Sequence, residues 1–426
     1  MRLDTSGVFS AVTRCLVLLT LCQPGSAVAQ ATARSLFEDT QALVSQIRVI
    51  DIASGDKYSI GSGFTISPQG HVATNFHVVS SYVHEPEKYR LEVISSDGSV
   101  GDINLLAIDV IHDLAIVDPG QVVTQHLALA ESQLSKGDRI YSMGNPHDLG
   151  MTIIEGTFNG LVENSRYRKI LFSGSLNSGM SGGPALNEAG EVIGVNVSKG
   201  AEQISFLVPV EHLSALLADA IHTSDSGDFD EEIHQALLTD QQNFYQTLLD
   251  VPLVDKSIGK LIIPEKLVES LRCWGHTADE EDIKYEAVHQ HCKSEDQIFI
   301  NGSLYVGDFN YDVEMVSTQA LNRFQFYNLL EERFDHHYFY NANDQDDVTN
   351  FGCHSGVVAM ASGSWKVSTC LRAYKRYADL HDASMIMVSV DYPDNAAIVK
   401  VGATGISLDN AFAVMRRIMV AIKWAR

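Results

Sequence analysis

Short apolar runs separated by turn residues dominate the first half of the chain. Examples are residues 60–66, 91–94 and 190–195, which carry Ile, Val, Leu or Phe. Clusters of Gly, Asn, Asp and Pro divide such runs from residue 49 to about residue 210, a spacing that is typical of β-sandwiches and β-barrels. No long helical pattern alternates with these runs, so the sequence does not favour a parallel α/β sheet. An all-β unit is therefore predicted.

Apolar residues at helical spacing border this β-rich region on both sides. They predict a short initial helix over residues 31–47 and a closing helix over residues 212–222. After a polar, acidic segment, residues 229–250 have the pattern of an amphipathic helix. We therefore expect one domain over residues 30–222 and a linker with a helix over residues 223–254.

The remaining part of the chain, residues 255–426, mixes helical and strand patterns, which predicts a smaller α+β domain. Its expected elements are a hairpin at 297–316 around Asn301-Gly302, a helix at 318–334, strands at 384–391 and 396–401, and a final helix at 409–424.

The first 29 residues have the pattern of a secretory signal peptide. Arg2 and Arg14 precede a short apolar run, and Ala-Val-Ala at 27–29 fits a cleavage site. The apolar run is shorter than the ~20 residues that a membrane-spanning helix requires. We therefore expect an exported protein, periplasmic or secreted, without a transmembrane anchor once the signal is removed.

Four cysteines remain after the predicted signal: Cys273, Cys292, Cys353 and Cys370. An even number in an exported chain favours disulfides, and four cysteines allow three pairings. We prefer the local pairs 273–292 and 353–370, since each closes a short loop worth ~3 kcal/mol.

A zinc site is the alternative to disulfides in this region. Four histidines lie near the cysteines in the sequence, namely His276, His289, His291 and His354. Their spacing matches no standard zinc pattern. We therefore expect neither a metal nor a cofactor.

The net charge of −24 limits the partners of the protein. It argues against binding to nucleic acid and against docking on anionic lipid. Whether the chain forms a homo-oligomer is left open.

The candidate chemistry centres on Gly-Met-Ser-Gly-Gly-Pro at 179–184. A serine between glycines can lie on a tight turn with an exposed hydroxyl, and the glycines allow nearby N–H groups to converge. The motif also fits the nucleophile turn of α/β-hydrolases, whose triad runs Ser, Asp, His along the chain. Here the other candidates, His77 and Asp113, precede Ser181. The order His, Asp, Ser is that of chymotrypsin-like proteases.

Several further motifs accompany these three residues in order. They are Gly-Ser-Gly-Phe at 61–64, Thr-Asn-Phe-His-Val-Val at 74–79, Asp-Leu-Ala-Ile at 113–116, Gly-Asn-Pro at 144–146 and Ile-Ser-Phe-Leu-Val-Pro at 204–209. Together they resemble trypsin-like serine proteases, specifically the HtrA/Deg branch. The resemblance covers about residues 45–220. It implies an all-β catalytic domain of two six-stranded barrels with the active site between them.

The resemblance also implies a role for each motif residue. His77 would accept the proton of Ser181, Asp113 would fix the histidine tautomer, and the N–H groups of Gly179 and Ser181 would form the oxyanion hole. The implied activity is endopeptidase cleavage through an acyl-enzyme, on protein or peptide substrates such as unfolded or envelope proteins.

The same comparison suggests a specificity pocket. Ser175 would lie near its base, and Val197 and Ile204 would form its walls. Because Ser175 carries no charge, small or aliphatic residues are expected before the cut. The segment Val197-Ser198-Lys199 would pair with the substrate backbone as an added strand.

Two departures from the family pattern leave an alternative open. Met180 occupies the position where the family usually has Asp or Asn, and residues 255–426 contain no PDZ-type Gly-Leu-Gly-Phe loop. The alternative is a protease-derived binding or scaffold protein whose C-terminal domain carries the function.

Overall fold

The computed structural model describes residues 33–201, 203–222, 228–278, 284–335 and 343–425. The expected signal peptide at 1–29 lies outside the described residues, as does most of the predicted polar linker. None of the helices in the described part of the chain has the length and apolarity required to cross a bilayer.

The elements of the first half are mainly strands, as the apolar pattern predicts. The helices are α1 (Ala33–Thr40), α2 (Phe76–His84) and α3 (Val210–His222), with 3-10 turns at Gln41–Leu43 and Pro146–Asp148. The strands are β1 (Val44–Asp51), β2 (Lys57–Thr65), β3 (Val72–Thr74), β4 (Tyr89–Ile94), β5 (Val100–Asp102), β6 (Asn104–Asp109), β7 (Leu114–Asp118), β8 (Arg139–Gly144), β9 (Thr152–Leu161), β10 (Ile170–Phe172), β11 (Pro184–Leu186), β12 (Val192–Ala201) and β13 (Ile204–Pro209).

The initial helix is shorter than the sequence pattern suggests. It ends at Thr40, and β1 already begins at Val44. Strand β1 lies between β2 and β4 and is buried on both faces. A strand that is buried on both faces lacks the alternation of apolar and polar residues that identifies a strand in a sequence. The spacing of Leu43 and Ile47 was therefore also compatible with a helix.

The fold is chymotrypsin-like, with one closed barrel and one rolled sheet. Strands β8–β13 form a closed barrel in the order β10-β13-β12-β11-β8-β9, whereas the first sheet has seven strands in the order β5-β4-β1-β2-β3-β7-β6. Its edge strands β5 and β6 are joined through the single residue Ile103. This connection brings the two edges together and rolls the sheet, although no ladder closes it. The prediction of two six-stranded barrels is therefore correct for the second unit only.

The C-terminal half is β-rich with three helices. These are α4 (Phe229–Asp250), α5 (Arg323–Asp335) and α6 (Leu408–Ala421). The strands are β14 (Asp255–Ile258), β15 (Leu261–Pro264), β16 (Arg272–Ala278), β17 (Glu286–Lys293), β18 (Ile298–Asn301), β19 (Leu304–Val306), β20 (Phe309–Ser317), β21 (Gly352–Met360), β22 (Gly363–Ala373), β23 (His381–Ser389), β24 (Asn395–Ile406) and β25 (Lys423–Trp424).

A seven-stranded antiparallel sheet organises this half, in the order β16-β17-β20-β24-β23-β22-β21. Helices α4 and α6 pack on one face, where Leu248 and Ile418 are fully buried. Helix α5 packs on the other face through Phe326 and Leu330. Alternate residues of each strand point to opposite faces, so the sheet presents apolar side chains to both helix layers.

Side-chain caps set the starts of the two later helices. Asn322 accepts a hydrogen bond from the Gln325 N–H (3.1 Å), and the Gln325 side chain accepts one from the Asn322 N–H (3.1 Å). This reciprocal capping box begins α5 at Arg323, five residues after the predicted start. Ser407 caps α6 with a single bond, since its side chain accepts from the Asn410 N–H.

The predicted hairpin at 297–316 corresponds to two different structures. Strands β18 and β19 form a hairpin around Asn301-Gly302, as expected. The rest of the segment is β20, which leaves the hairpin and pairs with β17 and β24 in the main sheet.

Both disulfides of the structure fasten an edge strand of this sheet to its neighbour. Cys273 of β16 is bonded to Cys292 of β17, and Cys353 of β21 is bonded to Cys370 of β22. In each case the two cysteines are directly opposite in the ladder. Long edge strands with unpaired backbone groups are prone to separate or to pair with other chains. The crosslinks hold both edges in register.

The histidines of the zinc alternative have other neighbours. The rings of His276 and His289 are stacked with centroids 4.3 Å apart, and His291 bonds to the carboxylate of Asp312. Among the described residues, no group of three or more His, Cys, Asp or Glu side chains is placed to hold a metal ion.

One apolar core joins the two halves of the chain. Ile47 and Leu91 of the rolled sheet belong to the same buried cluster as Ile233 of α4, Ile300 of β18 and Tyr374, which follows β22. A shared core of this kind is expected to make the halves unfold together, since exposing either half exposes apolar surface of the other.

A buried arginine provides the main polar contact between the halves. Arg166, between β9 and β10, has a side chain only 6% exposed and bonds to the carboxylate of Asp240 in α4. Its guanidinium also donates to the Gly307 carbonyl (3.1 Å) and lies 4.1 Å from the centroid of the Phe244 ring. Its backbone N–H donates to Asp296 Oδ2 (2.7 Å).

We predict that Arg166→Ala lowers the free energy of unfolding by about 3–5 kcal/mol, because it leaves the Asp240 carboxylate buried without its ion pair. The matched control is Arg168→Ala, which removes an ion pair with Glu211. The Arg168 side chain is 61% exposed. That change is expected to cost less than about 1 kcal/mol. Urea denaturation of both variants checks the prediction, and equal effects would contradict it.

Candidate active site

The candidate base lies at the start of a helix. Strand β3 ends at Thr74, Asn75 precedes helix α2, and His77 is its second residue. The Asn75 side chain does not cap the helix; it donates to the Asp113 carbonyl instead (2.8 Å). The Asp113 carboxylate takes over the capping role, since its Oδ1 accepts the backbone N–H of His77 (2.8 Å).

The same carboxylate also binds the imidazole of His77. Asp113 Oδ2 lies 2.7 Å from His77 Nδ1. Two contacts to one residue fix both the ring orientation and the tautomer, with the proton on Nδ1 and the lone pair on Nε2. The helix N-terminus adds a favourable positive potential for the carboxylate.

Backbone geometry holds Asp113 in this position. The residue has φ of 57°, a left-handed conformation that is uncommon outside glycine. It lies in the tight connection between β6 and β7, where Asn75 clamps its carbonyl. The surrounding contacts thus maintain a conformation that costs about 1–3 kcal/mol.

The pKa of His77 is raised above its usual value of 6.5. Burial lowers the pKa because it disfavours the charged ring, but the charge of Asp113 and its hydrogen bond outweigh burial. The carboxylate therefore stabilises an imidazolium at this position.

Ser181 lies on the turn after β10, and its hydroxyl does not bond to His77. Its Oγ donates to the carbonyl of Val197 at 3.0 Å. A rotation about one side-chain bond moves such a hydroxyl to another staggered position. Catalytic hydrogen bonds are often absent or long without substrate and form in the complex.

On this turn the amide N–H groups of Gly179 and Ser181 donate to no acceptor among the described residues. The carbonyl of Ser178 accepts from the His147 N–H (2.9 Å), and the carbonyl of Met180 accepts from the Gly183 N–H (3.1 Å). Because the C=O and N–H of a trans peptide point in opposite directions, these bonds turn both N–H groups away from the protein acceptors.

Glycine is required at position 179. The residue has φ of 93°, and a Cβ there would lie 2.5 Å from the Asn145 carbonyl oxygen. The Ser62 hydroxyl holds the Gly179 carbonyl at 2.7 Å. Residue 179 therefore combines a left-handed backbone with a close backbone approach, which only glycine permits.

Strand β12 offers a free edge beside Ser181. On one side it pairs with β13 through Ser198↔Phe206 and Lys199↔Ser205. On the other side the pairing with β11 ends at Val195. Among the described strands, residues 197–199 therefore have no ladder partner on that edge, so an extended peptide can add there.

Comparison with known proteins finds relatives of this part of the chain. Residues 61–195 match the family described as "Trypsin-like peptidase domain". That span includes His77, Asp113 and Ser181. The two β units of the first half thus contain a trypsin-like peptidase domain.

Curated relatives of the chain are HtrA and DegP proteases. Serine protease HTRA1 of Xenopus tropicalis is 32% identical over 178 residues, which is 39% of this chain and 37% of that protein. The serine protease HhoB of Synechocystis is 34% identical over 165 residues, 35% of this chain and 38% of that protein. The DegP-like periplasmic serine endoprotease of Brucella suis is 33% identical over 166 residues, 35% of this chain and 30% of that protein. The chain thus spans about a third of the length of these relatives.

A serine endoprotease from Yersinia pestis of known structure is also similar. Its identity to this chain is 22%, its TM-score is 0.39, and the match covers 45% of this chain and 67% of that one.

The expected pocket residues of the peptidase domain do not all face one way. Ser205 is fully buried; its hydroxyl accepts from the Leu176 N–H (3.1 Å) and donates to the Gly174 carbonyl (2.7 Å). Ser205 therefore faces the segment that contains Ser175. Ile204, as its neighbour in β13, must face the opposite side.

Ile204, which the sequence predicts as a pocket wall, faces away from the segment that contains Ser175. The residue is 41% exposed and lines a cavity of about 970 Å³ with residues of the C-terminal half, such as His291 and Asp308. Neighbouring residues of a strand lie on opposite faces, so Ser205, and not Ile204, borders the segment that contains Ser175. Val197 is partly buried and packs between the two β units.

Met180 has a structural role in the peptidase domain. Its side chain is fully buried in the barrel core together with Ile140, Phe172 and Leu207. The family's usual Asp or Asn is thus replaced by an apolar anchor. The segment 145–148 also supports the turn that carries Ser181, because its His147 N–H donates to the Ser178 carbonyl. The Asp148 carboxylate fastens this segment to Lys57 of β2.

We predict that Met180→Asp destabilises the domain by about 3–5 kcal/mol, because it buries a carboxylate among apolar side chains. Met180→Leu conserves volume and is expected to cost less than about 1.5 kcal/mol. Thermal and urea denaturation of the two variants check this. A stable Met180→Asp variant would show that a polar partner is available at this position.

We also predict that the pKa of His77 exceeds 6.5 and falls on Asp113→Asn. The substitution removes the charge that stabilises the imidazolium, whereas burial, which lowers the pKa, remains. NMR titration of the ring protons measures the shift. The control is Asp312→Asn, which alters the His–Asp pair of the C-terminal sheet and should leave His77 unchanged. An unchanged His77 pKa in Asp113→Asn would refute the assigned pair.

Proposed function

We propose that the protein is an exported serine endopeptidase that cleaves peptide bonds through an acyl-enzyme, with His77, Asp113 and Ser181 as its triad. One observation carries the proposal: the Asp113 carboxylate binds both the backbone N–H and the imidazole of His77. This arrangement leaves Nε2 of His77 as the proton acceptor.

The proposed reaction uses groups of this chain alone. When substrate enters, the Ser181 hydroxyl leaves the Val197 carbonyl and turns to His77 Nε2. His77 takes the hydroxyl proton while Oγ attacks the scissile carbonyl carbon. The resulting oxyanion accepts hydrogen bonds from the N–H groups of Gly179 and Ser181. The imidazolium then gives its proton to the leaving amine. A water molecule then gives a proton to His77 and attacks the acyl carbon. The bond to Ser181 Oγ breaks, Oγ regains the proton from His77, and the acid product leaves.

The raised pKa of His77 sets the acid limit of this reaction. Only the neutral imidazole can accept the serine proton. Activity should therefore fall as the pH drops through a pKa above 6.5.

The substrate class follows from the free strand edge and the uncharged pocket. Residues 197–199 of β12 would pair with an extended segment of substrate, which favours unfolded chains over folded ones. Ser175 brings no charge to the pocket, so small or aliphatic residues are proposed before the cut. Unfolded or envelope proteins are thus the proposed substrates.

Export to the periplasm or the exterior is proposed on two grounds. A relative from Brucella suis is named as periplasmic. The two cross-strand disulfides suit an oxidising compartment.

The second candidate function is a binding or scaffold protein. One observation favours it, namely that the Ser181 hydroxyl bonds to Val197 and not to His77. In that case the rotation would not occur, and the serine would not react with an active-site label.

We predict that a fluorophosphonate labels the protein at Ser181. Ser181→Ala and His77→Ala should both abolish labelling and lower cleavage of an unfolded protein by on the order of 10⁴–10⁶-fold. The control is Ser214→Ala, which removes an exposed hydroxyl of helix α3 and should leave both readouts unchanged. A purified Ser181→Ala variant that cleaves as fast as the parent would refute the triad, and an unlabelled, inactive parent would favour the scaffold function.

A further inference from the structure

The hairpin β18–β19 of the C-terminal half packs against the helix that carries His77. It connects β17 to β20, two neighbouring strands of the main sheet. It projects from that sheet toward the rolled sheet, where its residues contact α2.

The two faces of the hairpin differ in burial. Four aliphatic residues point into the core shared by both halves and are at most 2% exposed: Ile298, Ile300, Leu304 and Val306. Phe299 and Tyr305 alternate with them and form a cross-strand pair, and Phe299 also packs against the edge of that core. Their ring centroids are 5.3 Å apart at an edge-to-face angle. Phe299 is half-buried, and Tyr305 is 36% exposed.

The aromatic pair borders the candidate catalytic base. The ring of Phe299 lies edge-to-face with the imidazole of His77, with centroids 6.0 Å apart. It also contacts Phe76, at 6.5 Å. The imidazole itself remains partly exposed, with 29% of the side chain accessible. The rings of Phe299 and Tyr305 thus form an apolar surface next to the exposed part of the imidazole.

Polar contacts fix the hairpin on α2. The carbonyl of Ile300 lies 3.0 Å from His84 Nε2 at the end of the helix. Arg376 donates to the His84 carbonyl (3.2 Å) and to Asp230 Oδ2 (2.9 Å). The hairpin backbone that carries the aromatic pair is therefore attached to the end of α2 without a ligand, as a preformed binding surface requires.

We propose that Phe299 and Tyr305 form a substrate subsite that takes an apolar side chain next to the scissile bond, on the His77 side. The inference rests on the proposed function. Because His77 exchanges a proton with the nucleophile and the leaving group, it lies within hydrogen-bond reach of the bond that is cut. Only the imidazole then separates the Phe299 ring from the scissile bond. An aromatic surface favours a large apolar side chain there.

The test is cleavage-site profiling with peptide libraries. Each library peptide has a small or aliphatic residue directly before the cut. The residue that precedes it and the residue that follows the cut are varied. The parent should prefer Phe, Leu or Met at one neighbouring position. Phe299→Ala should lower kcat/KM for those peptides about tenfold or more relative to peptides with Ala at the same position. Phe299→Leu keeps an apolar surface and should retain most of the preference.

Fluorophosphonate labelling separates this subsite from the triad. Phe299→Ala should still be labelled at Ser181, whereas Ser181→Ala should not, so that a lost preference with retained labelling assigns the effect to the subsite. The matched control, Phe324→Ala, truncates an 82% exposed ring on helix α5 and should change neither labelling nor preference.

Three results would overturn the inference. An equal loss for all peptides would mean that Phe299 only positions α2, and a gain for all peptides would mean that the hairpin obstructs the cleft. An unchanged profile would exclude contact with substrate. A parent protein that is neither labelled nor active would instead refute the proposed function, and this inference with it.

Discussion

Helix α2 is held at both ends, and the arrangement of the candidate site depends on that constraint. At its start the Asp113 carboxylate bonds both the backbone and the ring of His77. At its end His84 meets the Ile300 carbonyl and Arg376 of the C-terminal half. A helix of nine residues has little intrinsic stability in water. Its position, and with it that of the imidazole, follows from these tertiary contacts and from the shared apolar core.

The C-terminal half is therefore part of the structural support of the peptidase domain. Arg166 inserts its side chain against Asp240 and Phe244, and the same loop bonds Asp296. The apolar residues of the β18–β19 hairpin complete a core whose other members belong to the rolled sheet. The disulfides lie elsewhere, at the two edges of the C-terminal sheet. Packing and buried charge join the halves, while the crosslinks act within one of them.

The turn around Ser181 is stabilised without the family's usual polar residue. Met180 is buried in the barrel core, and hydrogen bonds from Ser62 and the His147 N–H fix the neighbouring carbonyls. The folding of the barrel itself therefore sets the orientation of the Gly179 and Ser181 N–H groups.

Local patterns in the sequence were enough to determine the triad candidates, the β-rich first half, and glycine at 179. Each depends on residue types at short range or on motif order. The hairpin at Asn301-Gly302 was predictable for the same reason, whereas the closed second barrel was expected from the resemblance to trypsin-like proteases. Other features depend on packing between distant segments. The face of Ile204 depends on strand register, and the rotamer of Ser181 on the nearby Val197 carbonyl. The placement of Phe299 beside His77 belongs to the same class, since the hairpin and α2 meet across 216 residues at Ile300 and His84. Periodicity carries no information about such a contact, because only the burial of a common core brings the two segments together.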